Sequence, residues 1–182
     1  MEQRIGFGKR LGALVIDIVI IGVVSVLGGG VIGAVLGAGA GAVAGAGDQN
    51  SQAAAALFGG IIGTILGIVI ASTVVCVVYY LIEGLSGYTL GKLALGIRIA
   101  SADGTAAPMG QLMGRYAVKN IGSLLFVAAA ITGVESLKTV GSIGGLVIFI
   151  GCFMVLGASK QALHDRIVGT AVFPKGAIRA AA

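Results

Sequence analysis

Few residues in this chain could do chemistry, and their placement is unusual. Arg10 and Asp17 stand seven residues apart in RLGALVIDIVIIG. That is two helical turns, so both fall on nearly one face. Asp17 is the sole charge in an otherwise apolar run from Leu11 to Gly47. If the hydrocarbon layer begins near Leu11, the carboxylate lies about 9 Å inside it. An ionised acid at such a place costs about 2.5–3.5 kcal/mol on insertion scales, so it must be paired, protonated or hydrated. Low dielectric raises a carboxyl pKa toward neutrality, which lets the group take up and release a proton or cation. Pairing with a cation would instead fix helix register. Arg10, Arg115 and Lys119 are the cations that could meet it. Asp165, in LHDRIVGT, follows the last apolar run, where pairing with Arg10 or Lys9, or capping of local amides, would hold it. Arg10, Asp17, Asp165 and Arg115 therefore form a candidate cluster with two readings. One is a satisfied ionic network that fixes the helices at the cytoplasmic mouth. The other is an ion-coupling site built on Asp17.

Other chemistry finds little support. His164 precedes Asp165, but the chain has a single His, so a His-based metal dyad lacks its second ligand. Cys76 and Cys152 lie inside apolar runs and read as small buried hydrophobes, without disulfide or metal spacing. Ser72, Thr73 and Ser86 lack a neighbouring base, so nucleophilic catalysis has nothing to rest on. GYTLGKLALG holds Gly and Lys but departs from the phosphate-loop pattern. Lys92 and Arg98 in that region suit anionic lipid headgroups better. The expectation is no enzyme, no cofactor, no metal and no nucleic-acid partner.

The elements that must position these residues are membrane helices. Of 182 residues, 57% are hydrophobic and only 10% charged, against about 25% charged in a soluble domain. About 20 apolar residues cross a hydrocarbon core of about 30 Å. Four such stretches are expected, at about 11–36, 54–82, 113–133 and 140–158. A Gly/Ala-rich hairpin would occupy 37–53, turning around Asp48, Gln49, Asn50 and Ser51, with a polar loop at 83–112 and a polar tail at 159–182. Four crossings place Arg4, Lys9, Arg10, Lys92, Arg98, Arg115, Lys119, Lys160, Arg166, Lys175 and Arg179 on one side and only Lys138 on the other. By the positive-inside rule both termini and the central loop are then cytoplasmic. The AVAGAG stretch at 42–47 resembles a signal-peptide cleavage site, but the apolar run before it is too long and carries Asp17.

The 33 glycines are patterned. Gly29, Gly33, Gly37, Gly41 and Gly45 are four apart, as are Gly59, Gly63 and Gly67. Such repeats let helix backbones approach closely in lipid, either within one chain or against an oligomer partner. On the cytoplasmic side, Ile97-Arg98-Ile99-Ala100 is strand-like before an Asp103-Gly104 turn signal, and Gly169–Phe173 repeats the theme before Pro174. Pairing of these two pieces is expected. The fold class is thus all-α integral membrane, with four transmembrane helices and a short extended β element in the cytoplasmic loop and tail.

Taken in order, Lys9-Arg10 before LGALVID, GYTLGKLALGIRI with its DG turn, Arg115, and KQALHDRIVGTAVF resemble the RDD family of small membrane proteins. That family is named for one Arg and two Asp, which correspond here to Arg10, Asp17 and Asp165. The resemblance implies a bacterial-type inner-membrane protein for which transport, including cation/proton antiport, is the activity suggested. The alternative is a non-transporting scaffold or accessory subunit of a larger complex, packing through its Gly-rich helices. Expected partners are the lipid bilayer and either a second copy or a larger membrane assembly.

Overall fold

The computed structural model describes residues 3–44 and 49–180. The element order is α1 (Phe7–Ala44), α2 (Gln49–Ser86), α3 (Leu90–Ala94), β1 (Ile97–Ser101), α4 (Met109–Lys119), α5 (Ile121–Thr132), α6 (Ser136–Cys152), α7 (Leu163–Val168) and β2 (Thr170–Pro174). Short 3-10 turns follow α6 at Phe153–Leu156 and β2 at Lys175–Ala177. Among the described residues, three helical stretches are long and apolar enough to cross a membrane: Phe7–Gly37, Ala56–Ser86 and Ser136–Leu156.

Two expectations about the helices are corrected. Helices α1 and α2 are each 38 residues long, so the Gly/Ala-rich stretch assigned to a hairpin is mostly helix. Alanine favours helix strongly enough to offset interspersed glycine. The expected turn at Asp48, and Gly45 with it, lie outside the described residues, while Gln49, Asn50 and Ser51 already belong to α2. The third expected span, 113–133, is not one helix. It breaks at Asn120, whose φ of −105° and ψ of 18° leave the helical region. The Asn120 side-chain amide donates to Tyr116 O at 2.8 Å, sharing that carbonyl with its own backbone N–H at 3.0 Å. The remaining apolar piece, α5, has 12 residues and extends about 18 Å. It ends where Gly133 takes φ 72°, a left-handed cap that costs glycine nothing, and the chain turns back into α6. Gly122 on α5 faces Gly141 and Gly145 on α6 backbone to backbone.

The chain divides into two compact units. The first holds the residues up to Ile16 and from Tyr80 onward. Its centre is the expected two-stranded antiparallel sheet, with Ile97 opposite Pro174, Ile99 opposite Val172 and Ser101 opposite Thr170. Ile5, Ala13, Ile97, Ile99, Leu112 and Val172 pack together beneath it. Ile5 N donates to Val172 O at 2.8 Å, hooking the N-terminal segment onto β2.

The second unit is Asp17–Tyr79, drawn from α1 and α2. Along α1, Asp17, Ile21, Ser25, Gly29, Gly33 and Gly37 are all buried at steps of four, and Gly63, Gly67 and Ala71 answer them on α2. The glycines are what allow the approach. A Cβ on Gly33 would sit 2.6 Å from Thr64 Cα, and one on Gly63 would sit 2.7 Å from Gly33 O. Away from this seam the side chains are large, apolar and open, among them Leu27, Val31, Val35 and Phe58, as a lipid-facing surface requires.

Candidate functional site

The first unit gathers a network of charges. The first turns of α1 supply Arg10, the end of α2 supplies Glu83, α3 supplies Lys92, α4 supplies Arg115 and Lys119, and α7 supplies His164 and Asp165.

Arg115 is the hub and is only 5% exposed. Its Nε donates to Asp165 Oδ1 at 2.7 Å and its Nη1 to Glu83 Oε1 at 2.8 Å. Its Nη2 lies 3.2 Å from His164 Nε2. A guanidinium only donates, so His164 Nε2 must accept and the ring proton sits on Nδ1. That Nδ1 is buried with no partner among the described residues. Asp165 is fully buried. Its Oδ2 accepts from Arg10 Nη1 at 2.5 Å and from Ala162 N at 3.3 Å, so it both pairs and caps, the two roles the sequence suggested. Thr170 Oγ1 stands 3.4 Å from Asp165 Oδ1. Arg10 is further fixed by the carbonyls of Ile5 at 3.1 Å and Lys160 at 2.8 Å. Glu83 accepts from Lys92 at 2.6 Å and Lys119 at 2.9 Å as well as from Arg115. Lys119 also lies over the Tyr80 ring, 4.5 Å from its centroid, a cation–π contact.

The electrostatics follow from this geometry. Burial alone would raise the Asp165 carboxyl, but the Arg115 and Arg10 guanidiniums outweigh it and hold it well below the usual range. Burial, reinforced by the Arg115 charge, pulls the His164 imidazole down to about 4, so it is neutral at pH 7. Burial likewise draws Lys92 down to about 8 against the attraction of Glu83.

The structure therefore brings together Arg10, Arg115 and Asp165 of the four residues in the expected cluster. Asp17 belongs to the other unit. There it is 2% exposed and its Oδ1 accepts from the Tyr79 hydroxyl at 2.6 Å. Lys92 is turned onto Glu83. Arg98 donates from Nε and Nη2 to Ser86 O at 3.2 and 2.9 Å and stacks over Tyr88, 5.6 Å from the ring centroid. Sequence reasoning passed over Glu83, placing it at the start of a polar loop. The available signal was the one used for Asp17, an acid continuous with an apolar helix, since YYLIEGLS continues α2 without a break. Cys76 and Cys152 are free thiols of intermediate burial, less enclosed than expected.

The sequence model of the RDD family matches residues 4–169. No curated protein and no solved structure matches the chain.

Proposed function

The chain belongs to the RDD family of membrane proteins, and from that premise we propose that it is a non-catalytic scaffold or accessory subunit of a larger membrane assembly. The observation carrying this reading is the enclosure of Asp17. The carboxyl is 2% exposed and takes a hydrogen bond from Tyr79. Beyond it the α1–α2 seam is sealed by backbone contact at Gly29, Gly33 and Gly37. Helices that touch backbone to backbone leave no water-wide route between them, and a carrier needs one. Alongside the seam, Gly30, Gly33, Ala34, Gly37, Ala56, Gly60 and Thr64 line a groove of about 360 Å³. Small residues at such a groove admit a further helix by dispersion contact.

A second reading, proton or cation coupling at Asp17, draws on one observation. Ser25 lies two turns farther along the same buried stripe, and its hydroxyl is buried without a hydrogen-bond partner among the described residues. With Tyr79 and Asp17 it makes a short polar series inside the apolar pair, where an ionisable residue is a functional candidate by default.

The two readings separate by experiment. The scaffold reading expects a second membrane protein at fixed stoichiometry when the chain is purified from its native membrane in mild detergent. It also expects vesicles holding this chain alone to show the same ion-driven pH changes with and without Asp17→Asn. Flux by the chain alone, abolished by Asp17→Asn in a folded protein, overturns it.

The proposed topology is four crossings in a bacterial-type inner membrane, with both termini cytoplasmic. The Lys/Arg distribution supports it, and so does the α5–α6 hairpin. Since α5 reaches only about 18 Å, its crossing would need α4 residues or local thinning of the bilayer. In a chain lacking Cys76 and Cys152, Ser51→Cys should label from outside and Gly176→Cys should not. Labelling of both from outside defeats the topology.

A further inference from the structure

We infer that Arg98 and Lys175 form a binding site for the phosphate of an anionic phospholipid, seated at the cytoplasmic end of α2. Tyr88, Leu93, Ile97, Arg98 and Lys175 enclose a cavity of about 240 Å³. That is below the roughly 300–1,000 Å³ of whole-ligand pockets, and it suits a headgroup whose tails lie elsewhere.

Strand pairing creates the site. Ile97 lies opposite Pro174, and Lys175 N donates to Gly96 O at 2.8 Å, which brings the tail lysine beside Arg98. Arg98 is pre-oriented. Its Nε and Nη2 hold the Ser86 carbonyl and its plane stacks on Tyr88, leaving Nη1 to donate. Arginine so fixed loses little entropy when it grips a phosphate oxygen. Lys175 is exposed and supplies a second point charge.

The level of the site decides between a lipid and a free anion. Ser86, the residue Arg98 holds, is the last residue of the apolar stretch Ala56–Ser86. Arg98 therefore sits where the hydrocarbon ends. The adjoining α3 and its C-terminal cap open Leu90, Leu93 and Leu95 outward, at 52%, 45% and 36% exposure. Three open leucines beside two cations match an acyl chain beside its phosphate, and a soluble phosphate would have no use for them. Lys92, the cation on α3, is excluded from the site by its bond to Glu83 at 2.6 Å.

The test uses the full chain in non-ionic detergent, with dioctanoyl phosphatidylglycerol, dioctanoyl phosphatidylcholine and inorganic phosphate as probes, read by native mass spectrometry. Phosphatidylglycerol should bind at one site at least tenfold tighter than phosphatidylcholine. Lys175→Gln should weaken it roughly fivefold, the contribution of one cation at a membrane surface. Arg98→Gln should weaken it more, and Lys138→Gln, remote from the cavity in sequence and paired with Glu135, should leave it unchanged. Among the described residues Lys175 makes no side-chain hydrogen bond or ion pair, so its variant stays folded and keeps the result interpretable. Equal affinity in Lys175→Gln, or binding of inorganic phosphate as tight as that of phosphatidylglycerol, overturns the proposal.

Discussion

Replacing Asp165 by Asn tests whether the ionic network holds the fold together. The carboxylate is fully buried and accepts from Arg10 on one oxygen and Arg115 on the other. Asn keeps the shape but turns one oxygen into an NH2 donor, set against a guanidinium that can only donate. Breaking a buried pair by removing one partner costs about 3–5 kcal/mol, because the other charge stays buried. Here the stranded cations are partly provided for. Arg10 keeps the carbonyls of Ile5 and Lys160, and Arg115 keeps Glu83 and His164. The low end, about 3 kcal/mol, is the expected loss. For a chain of this length about 1 kcal/mol shifts Tm by roughly 2–4 °C, so Asp165→Asn should melt roughly 6–12 °C below wild type. The assay is thermal unfolding in detergent, followed by loss of the monodisperse peak. Glu135→Gln is the reference, since that carboxylate is 74% exposed in its pair with Lys138 and such changes stay within about 0.5 kcal/mol. Arg10→Met combined with Asp165→Asn should cost less than the sum of the two, as residues sharing one bond do. Asp165→Asn melting together with Glu135→Gln, or strict additivity with Arg10→Met, would refute the network as a source of stability.

The remaining predictions concern packing and pH. Gly63→Ala places a Cβ 2.7 Å from Gly33 O, roughly 1 Å short of van der Waals contact, and should destabilise by about 1–3 kcal/mol. Gly60→Ala meets nothing within 4 Å and should be neutral or mildly stabilising, and equal melting of the two variants would contradict the seam. His164 is held neutral in the fold down to about 4, whereas the unfolded chain takes the proton near 6.5. The unfolded state therefore binds more protons between those values, and stability falls as pH drops through about 6.5 to about 4, by roughly 3 kcal/mol. The buried Asp165 adds a loss in the same direction at still lower pH. Melting curves between pH 7 and 4.5 should show the decline in wild type and a flatter profile in His164→Gln. Parallel profiles would exclude His164 as its source.

What the sequence disclosed, and what it did not, follows from the range of the interactions involved. The sheet was legible because Ile97-Arg98-Ile99 alternates and the Asp103-Gly104 turn is local chemistry. Thr105 N donates to Asp103 Oδ1 at 2.9 Å, two residues away. Arg10 and Asp165 were legible as opposite charges at the bases of apolar runs. The break at Asn120 was not, because LLFVAAAIT continues the apolar pattern and only the backbone of one residue leaves the helical region. The assignment of Asp17 to Tyr79 was also out of reach. Tyr79 reads as one more apolar residue of α2, and only the helix register shows that its hydroxyl meets the acid.

The burial of so many charges at the helix ends has a physical reason. Inside a bilayer the lipid is as apolar as Leu or Val, so apolar helices gain no hydrophobic drive from touching one another. Association must come from close packing, where glycine permits it, or from polar contacts. The glycine seam supplies the first for α1 with α2, and Gly122 with Gly141 supplies it for α5 with α6. The ion pairs supply the second. Arg10 reaches Asp165 across 155 residues of sequence, and Arg115 joins Glu83 and Asp165 across 32 and 50. Each bond closes a loop that the helices by themselves leave open, and loop-closure entropy grows only slowly with length, so the longest closure costs little more than the shorter ones. One guanidinium with a rigid fork of donors can serve both acids at fixed angles, which a lysine cannot. On this argument the position that least tolerates a conservative change is Arg115, rather than Arg10, on which the resemblance to the family drew.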